Sequence, residues 1–385
     1  MIQNIIILQQ VILTERHMTS IGIEALSRDF TITVLDLTAW YKPDVWRKHG
    51  HSHHVIPGYR SIDSMDALVE ALKDIDQAVV FDYLLSPPHT AKVRKYLAER
   101  KFIRALFSTG QLPDAVRVST SQRLRALISP NLPKKILAKI RRFVGQQDQE
   151  PDPIPDMVVF AGEIGCTEEL AKVKHIVWAH SVEYNQYMAL DAERKQTEPY
   201  AVYLDQALLH HPDYAYANEK ILLSEETFFT PLNAFFAKFE QASGMKVKFA
   251  AHPRSEYERH PHLLDGRELH KGETAELIRD SALVLAHSST AIVFATLWKK
   301  PLVFLTTSEL ARTEVGLRIP NFASYLNAPV INLPHTQPIS ASDVRRWLTP
   351  DEAACETFNR LFTKKPGTPK KDVWEIVSSY IRENL

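Results

Sequence analysis

The chain has few glycines and few cysteines, and both shortages limit its chemistry. Its 385 residues include 12 glycines, and neither a GxGxxG nor a GxxxxGK[ST] pattern occurs. A bound nucleotide would therefore be held by something other than the glycine-rich loops that those patterns form. The two cysteines, Cys166 and Cys355, lie far apart and outside any metal-ligand spacing. This excludes a disulfide framework and fits a reducing compartment.

The sequence also lacks an excess of charge and a long apolar run. Lys and Arg total 46, as do Asp and Glu, so the formal net charge is zero and gives no global signal for nucleic-acid binding. The N-terminal apolar run is short and has no basic region before it, so we interpret it as a first strand rather than a signal peptide. No stretch reaches transmembrane length. We therefore expect a cytoplasmic protein, and contact with the inner face of the cytoplasmic membrane stays open.

Short apolar runs alternate with helical patterns along most of the chain, which predicts an α/β fold. A chain of this length suits two domains, and we expect two Rossmann-like domains that face a cleft. The polar run ERKQTEP sets the predicted boundary, with residues 1–195 forming an acceptor-binding domain and 196–385 a nucleotide-binding domain. The last helical pattern, 373–381, is expected to pack back on the first domain.

The predicted elements follow from apolar periodicity. Predicted strands cover residues 4–10, 32–38, 78–83, 104–108, 157–161, 175–179, 201–204, 246–251, 283–286 and 302–305. Predicted helices cover residues 20–29, 62–75, 89–100, 167–174, 224–242, 274–278, 291–298 and 373–381.

Two predicted strands of the second domain end in polar residues that can bind an anion. The first is followed by His252, Pro253 and Arg254, and the second by His287, Ser288, Ser289 and Thr290. Because the carboxyl ends of parallel strands share one edge of a sheet, these residues should lie on one rim. Imidazole, guanidinium and hydroxyl groups, with the N–H groups of a helix start, can hold a phosphate. A structural histidine at a strand end is the alternative for His252.

Glu273 and Thr274 mark a further predicted helix start in the second domain. Thr274 is a candidate N-cap, which would satisfy a free backbone N–H group. Recognition of a nucleobase or ribose is the functional alternative, and both interpretations stay open.

Candidate catalytic groups follow two other predicted strands. Asp205 ends the strand that opens the second domain, where a carboxylate could act as a general base or as a nucleophile. His180, Ser181 and Glu183 close the last strand of the first domain. If the two domains oppose each other, His180 and Glu183 would face the same cleft as Asp205. Capping of a helix by Ser181 is the alternative there.

Two further clusters have both a functional and a structural interpretation. His49, His51, His53 and His54 could bind a metal, but no carboxylate or cysteine lies at a regular spacing, so we interpret them as a solvated loop. Residues 115–147 carry eight basic residues, among them Lys134, Lys135, Arg141 and Arg142, with apolar residues at helical spacing. This segment is either a surface for anionic lipid or glycan, or a helix packed on its domain.

The segments AAHPRSEYE (250–258) and LAHSSTAIVFATLWKKPLVFL (285–305) resemble the paired HP and Ser-Ser/Thr motifs of bacterial GT-B glycosyltransferases. The similarity is to the group that uses CMP-activated acidic sugars, the sialyl-, polysialyl- and Kdo-transferases of surface-polysaccharide loci. It covers about residues 200–305, and the first 190 residues share only the architecture.

This resemblance implies that His252, Ser288, Ser289 and Thr290 hold the phosphate of a CMP-linked donor, and that Asp205 is the acidic catalytic residue. It implies no cofactor and no metal, a nucleotide-sugar donor, and a glycan or lipid-linked glycan acceptor. The sialyltransferase D/E-D/E-G motif is absent. Alternatives are a CDP-polyol phosphotransferase of the teichoic-acid type, a UDP-sugar epimerase-like enzyme, and a non-catalytic polysaccharide-assembly protein.

Overall fold

The computed structural model describes residues 2–50, 56–84, 90–113, 153–190, 198–209, 223–335 and 337–385. The chain forms two compact units. The first unit contains the described residues up to Gln111, those from 153 to Val182, and the C-terminal Lys364–Leu385. The second unit contains Leu112, Pro113 and the described residues of Glu183–Thr363.

The first unit is built on a parallel sheet of seven strands in the order β3-β2-β1-β4-β5-β6-β7. Because the order reverses direction between β1 and β4, this is the doubly wound arrangement of a Rossmann-like domain. The strands are β1 (Asn4–Gln9), β2 (Thr31–Asp36), β3 (Tyr59–Ser61), β4 (Val79–Asp82), β5 (Ile103–Ser108), β6 (Met157–Phe160) and β7 (His175–Trp178).

Among the described residues, seven helices belong to this unit. They are α1 (Glu15–Ser20), α2 (Ile23–Leu26), α3 (Thr38–Tyr41), α4 (Pro43–His49), α5 (Met65–Leu72), α6 (Ala91–Glu99) and, from the end of the chain, Val373–Asn384, which is α14 below. The central strands are buried on both faces, which explains their continuous apolar sequences.

The second unit repeats the plan with six parallel strands in the order β10-β9-β8-β11-β12-β13. Its order reverses between β8 and β11, so these two strands flank the point where doubly wound sheets bind ligands. The strands are β8 (Tyr200–Leu204), β9 (Lys246–Ala251), β10 (Leu269–Lys271), β11 (Leu283–Ala286), β12 (Leu302–Thr307) and β13 (Val330–Leu333).

The helices of the second unit complete the numbering in chain order. They are α7 (Val182–Ala189), α8 (Glu225–Ser243), α9 (Thr274–Asp280), α10 (Ile292–Leu297), α11 (Glu314–Leu326), α12 (Ala341–Trp347) and α13 (Glu352–Phe358), before α14 (Val373–Asn384).

Helix α8 shows how the local sequence fixes an element. Ser224 caps its start by accepting from the N–H of Thr227, and Gly244 ends it in a left-handed conformation with φ of 71°. Between them a stripe of phenylalanines, including Phe235 and Phe236, is fully buried in the second core. The stripe is therefore core, as its helical spacing predicts.

In place of the helix predicted at 20–29, the structure has only the short helix α2, which Gly22 separates from the preceding α1. Gly22 has φ of 69°, and a Cβ at this position would lie 2.2 Å from the ring of Trp374. Only glycine gives the indole of α14 room to pack against this turn. The C-terminal helix thus contributes to the first core, in which Trp374 and Val377 are buried.

Two other expectations differ from the structure. The predicted helix 167–174 is only a 3₁₀ turn, Leu170–Lys172, because few of its residues, among them Leu170 and Val173, pack on an apolar cluster, and that cluster is small. The division between the units falls before the predicted boundary at 195, since Tyr187 of α7 packs against Trp298 with ring centroids 5.2 Å apart.

Candidate functional site

The carboxyl ends of β9, β8 and β11 lie side by side, because these strands are neighbours in the second sheet. His252 follows β9, Asp205 and Gln206 follow β8, and His287 follows β11. Neighbouring strands lie about 4.8 Å apart, so the ends of β9 and β11 are roughly 10 Å apart across β8. The predicted HP and Ser-Ser-Thr segments therefore meet at one rim, on either side of β8.

Asp205 connects the end of β8 to the end of β9. One carboxylate oxygen, Oδ2, accepts from the backbone N–H of His252 at 3.0 Å. The other, Oδ1, accepts from the hydroxyl of Tyr257 at 2.8 Å and from the N–H of Ala207 at 3.0 Å. The side chain is buried, and this burial raises the pKa of the Asp205 carboxyl, although its hydrogen bonds with His252 and Tyr257 pull the pKa the other way.

His252 presents a defined tautomer. The backbone N–H of Arg254 donates to Nδ1 of His252 at 3.2 Å. The proton of the neutral ring therefore sits on Nε2, the atom through which the imidazole can donate to a phosphate oxygen. Pro253 and Arg254 are exposed beside it, and His252 is half-buried.

Gln206 connects the end of β8 to the end of β11. Its Nε2 donates to the carbonyl of Ser288 at 3.1 Å, and its Oε1 accepts from the N–H of Ser288 at 3.0 Å. The hydroxyl of Ser288 donates to the carbonyl of Val315 at 3.0 Å. Ser288 is buried, and both its backbone N–H and its hydroxyl donate within the second unit. These contacts favour a structural role for Ser288 over the predicted phosphate contact.

The side chain of His287 is also buried and bound within the second unit. Its ring is fully buried, with Nδ1 2.6 Å from the carbonyl of Leu305 and Nε2 2.8 Å from the hydroxyl of Tyr203. The carbonyl can only accept, so Nδ1 carries the proton and Nε2 accepts from the tyrosine. Burial lowers the pKa of His287 to about 4, which keeps the ring neutral. Both nitrogens are used within the sheet, so the predicted nucleotide contact by His287 is replaced by a structural role.

Ser289 and Thr290 carry hydrogen-bond donors that remain available to a ligand. No hydrogen bond among the described residues engages the backbone N–H of Ser289 or Thr290. The Oγ of Ser289 accepts from the N–H of Ala291 at 3.2 Å, which leaves the hydroxyl proton to donate elsewhere. Ser289 is half-buried and Thr290 is exposed. The predicted contact of Ser289 and Thr290 with a phosphate stays a prediction.

Glu273 and Thr274 occupy different positions from those expected. Glu273 is at the N-cap of α9 and makes no side-chain cap bond, and Thr274 is the first helical residue rather than the cap. The carboxylate of Glu273 is exposed and lies 3.5 Å from Nδ1 of His270. Their predicted contact with a nucleobase or ribose stays a prediction.

His180 and Glu183 belong to different units. His180 follows β7 and is fully buried, with Nδ1 2.9 Å from the carbonyl of Ser181 and Nε2 2.7 Å from that of Lys371. The ring thus ties the end of β7 to the segment before α14, which favours a structural rather than a catalytic role. Glu183 is half-exposed in the first turn of α7, and its catalytic role stays a prediction.

Two segments that the sequence analysis singled out lie wholly or partly outside the described residues. They are the basic segment 115–147 and His51, His53 and His54 of the histidine cluster. Within the described ranges, no group of three His, Cys, Asp or Glu side chains could hold a metal ion. No described helix is long and apolar enough to cross a membrane.

Sequence reasoning missed Gln206 and Tyr257. Gln206 directly follows the strand-end Asp205, and a side-chain amide carries the same donor and acceptor as a backbone peptide. Tyr257 lies five residues after His252, and its hydroxyl reaches Asp205. In the sequence, Gln206 and Tyr257 could have been noticed as polar residues shortly after buried strands. The residue that each one binds can be identified only when the order of the strands is known.

Two solved structures are similar to this chain over nearly its whole length. The calicheamicin glycosyltransferase CalG4 has a TM-score of 0.54 and 13% identity, and 99% of each chain is covered. Acinetobacter baumannii MurG has a TM-score of 0.49 and 9% identity, again with 99% of each chain covered. No protein-family model and no curated protein matches the chain. The likeness to CalG4 and the two doubly wound sheets show a two-domain, Rossmann-like GT-B fold.

Proposed function

We propose that this protein is a glycosyltransferase that uses a nucleotide-activated sugar. The observation that carries the proposal is the pair of strand ends on either side of β8. His252 offers Nε2–H after β9, and after β11 Ser289 offers its hydroxyl and Thr290 its backbone N–H. Strand ends roughly 10 Å apart at the reversal point of a doubly wound sheet leave room for a phosphate group between their side chains.

The proposed reaction breaks the bond between the anomeric carbon and the nucleotide phosphate and forms a bond to an acceptor hydroxyl. Negative charge develops on the departing phosphate. Donors that are already in place at His252, Ser289 and Thr290 would stabilise that charge with little reorganisation. Hydrogen-bond donors can supply this stabilisation themselves, so the proposal requires no metal.

Asp205 then has a supporting role in this proposal. Its two oxygens already accept three hydrogen bonds, and it holds the N–H of His252. A general base must reach the acceptor hydroxyl. Glu183, which is half-exposed and whose carboxylate forms no hydrogen bond or ion pair with another described residue, is the group that we assign as the candidate base.

The donor is proposed to be a CMP-linked acidic sugar, such as a sialic-acid-like nonulosonate or Kdo, and the acceptor a bacterial surface glycan. Support comes from the HP and Ser-Ser-Thr segments, whose resemblance is to enzymes that use such donors.

The basic segment 115–147 is proposed to hold the protein near an anionic lipid or acceptor. Eight basic residues in this segment occur without an acidic residue between them. Vesicles of phosphatidylglycerol should bind the protein at low salt, and changing Lys134, Lys135, Arg141 and Arg142 to glutamate should weaken this binding. Equal binding before and after the change would contradict the assignment.

Release of nucleotide from candidate donors tests the reaction itself. The protein should release CMP from a CMP-linked acidic sugar, and a bacterial glycan acceptor should increase the rate. Release of CMP from CDP-glycerol would instead indicate polyol-phosphate transfer, and UDP-linked turnover alone would reject the CMP assignment. Binding of a glycan without nucleotide release from any donor would indicate an assembly protein.

A further inference from the structure

We propose that Tyr257 is a positioning residue for the phosphate site, because its hydroxyl keeps the carboxylate of Asp205 ionised and this carboxylate holds the backbone of His252. The inference rests on the proposed function, in which His252 donates to the nucleotide phosphate. Tyr257 itself makes no proposed contact with the ligand and acts only through Asp205.

Tyr257 has a defined place beside Asp205. It begins the 3₁₀ turn Tyr257–Arg259, shortly after the HP segment, and its side chain is buried in the second core. Its ring packs edge-on against Phe229 of α8, with centroids 5.9 Å apart. From this position the hydroxyl donates to Oδ1 of Asp205 at 2.8 Å. The chain beyond β9 thus turns back to the end of β8.

The carboxylate of Asp205 is buried and forms no ion pair with a described residue. Hydrogen bonds therefore hold its charge. The N–H of Ala207 and the hydroxyl of Tyr257 donate to Oδ1, and the N–H of His252 donates to Oδ2. Burial raises the pKa of the Asp205 carboxyl, and these hydrogen bonds lower it. Among these donors, only the Tyr257 hydroxyl belongs to a side chain.

The same carboxylate fixes the start of the HP segment. Its Oδ2 accepts from the N–H of His252 at 3.0 Å. The carbonyl of His252 accepts from the N–H of Ser255 at 2.9 Å, and Nδ1 of its ring accepts from the N–H of Arg254 at 3.2 Å. Because the backbone and the ring are both held, the direction of Nε2 is fixed before a ligand binds.

Loss of the Tyr257 hydroxyl should weaken this arrangement. Oδ1 of Asp205 would lose its shorter hydrogen bond and keep the one from the N–H of Ala207. A buried carboxylate with fewer donors binds a proton more readily, so Asp205 should become protonated at a higher pH. A neutral carboxyl is a weaker acceptor than a carboxylate, so its bond to the N–H of His252 should weaken as well. Affinity for the phosphate should then fall.

The other titratable groups around Asp205 do not produce this effect. Tyr203 faces it from β8 and Tyr257 from the turn, and burial raises the pKa of both phenols, so both stay neutral. His287, which binds Tyr203, has its pKa lowered to about 4 by burial and is neutral too. The ring of His252 titrates in every variant, so comparison between variants removes its contribution.

The test compares Tyr257→Phe with Tyr200→Phe in the full chain, by calorimetric titration with CMP and, in parallel, UDP from pH 5 to pH 9. Tyr200→Phe is the matched control, because it also removes one buried hydroxyl of the second unit, which donates to the carbonyl of Leu277 at 2.9 Å. As the pH falls, Tyr257→Phe should lose affinity before the unmodified protein does. The difference should reach about tenfold, the effect of one hydrogen bond to a charged group.

Tyr200→Phe should follow the unmodified protein at every pH. In an Asp205→Asn background this position cannot titrate, so Tyr257→Phe should change the affinity by the same factor throughout. A remaining dependence on pH would assign the effect to another group and overturn the inference.

Urea unfolding of the same variants without nucleotide tests the link between Tyr257 and Asp205 independently of the proposed function. The loss of stability in Tyr257→Phe should grow as the pH rises, because the hydroxyl stabilises the ionised form of Asp205. The loss in Tyr200→Phe should not depend on pH.

Either a loss in Tyr257→Phe that is equally independent of pH, or nucleotide affinities that match the unmodified protein at every pH, would overturn the inference and leave the proposed function intact. No binding of CMP or UDP by the unmodified protein would overturn both.

Discussion

The hydroxyl of Tyr203 donates a hydrogen bond to Nε2 of His287 across 2.8 Å, and both side chains are fully buried. The other ring nitrogen of His287 binds the carbonyl of Leu305. One polar chain thus links β8, β11 and β12 inside an apolar core, just before the strand ends that carry the candidate site. Such a network favours one arrangement of the three strands, because any shift would leave a buried polar group without its partner.

The stability of the second unit should depend on His287 below neutral pH. The pKa of His287 is about 4 in the folded protein and about 6.5 when the side chain is unperturbed. Between these values the unfolded chain binds more protons, so the free energy of unfolding decreases as the pH falls from 6.5 to 4. The decrease from this residue is at most about 3 kcal/mol.

Urea unfolding at pH 7 and pH 4.5 measures this dependence. His287→Gln can still accept from Tyr203 and donate to Leu305, and it does not titrate. The unmodified protein should lose more stability than His287→Gln between the two pH values, since the other titrating groups are common to both. Equal losses would mean that His287 does not remain neutral in the folded protein.

Asp205→Asn distinguishes a positioning role from a catalytic one. Asparagine has a single acceptor oxygen and places N–H groups where Asp205 receives three donors. The mismatch should cost about 1–3 kcal/mol of stability and release the N–H of His252. We expect lower CMP affinity together with lower turnover. Turnover reduced by 10²–10⁴ with unchanged CMP affinity, the approximate effect of losing a base, would instead restore the catalytic role.

The two doubly wound sheets could be predicted from the sequence because their strands are short, apolar and followed by polar residues. Lys246–Ala251 and Leu283–Ala286 have the predicted bounds, and α8 lies within one residue of its predicted range, 224–242, at each end. Each of these elements is fixed by nearby residues, through burial of its own side chains or through its caps.

The roles within the site could not be predicted in the same way. Ser288 and Ser289 are adjacent and identical in the sequence, yet one is bound to Gln206 and Val315 and the other is not. The difference arises from strand order, which brings together residues 82 positions apart. His287 and Asp205 likewise seemed free to bind a ligand when only the sequence was considered, because the sequence does not show that Tyr203 and Tyr257 bind them.

Ser288→Ala and Ser289→Ala form a matched pair that tests this difference. Ser288→Ala should lower the free energy of unfolding by about 1 kcal/mol, because the carbonyl of Val315 loses its donor, and should leave CMP affinity nearly unchanged. Ser289→Ala should weaken CMP binding severalfold, a modest effect because the backbone N–H remains. Calorimetric titration and urea unfolding of both variants measure the two effects. The reverse pattern would place the phosphate at Ser288.

Titration of the unmodified protein and of His252→Ala with CMP, UMP, UDP and GDP tests the central claim most directly. If the ends of β9 and β11 hold a nucleotide phosphate, the unmodified protein binds CMP most tightly, and His252→Ala weakens that binding by about tenfold or more, since one donor to a charged group is lost. A folded His252→Ala protein with unchanged nucleotide affinity, or an unmodified protein that binds none of the four, would contradict the claim.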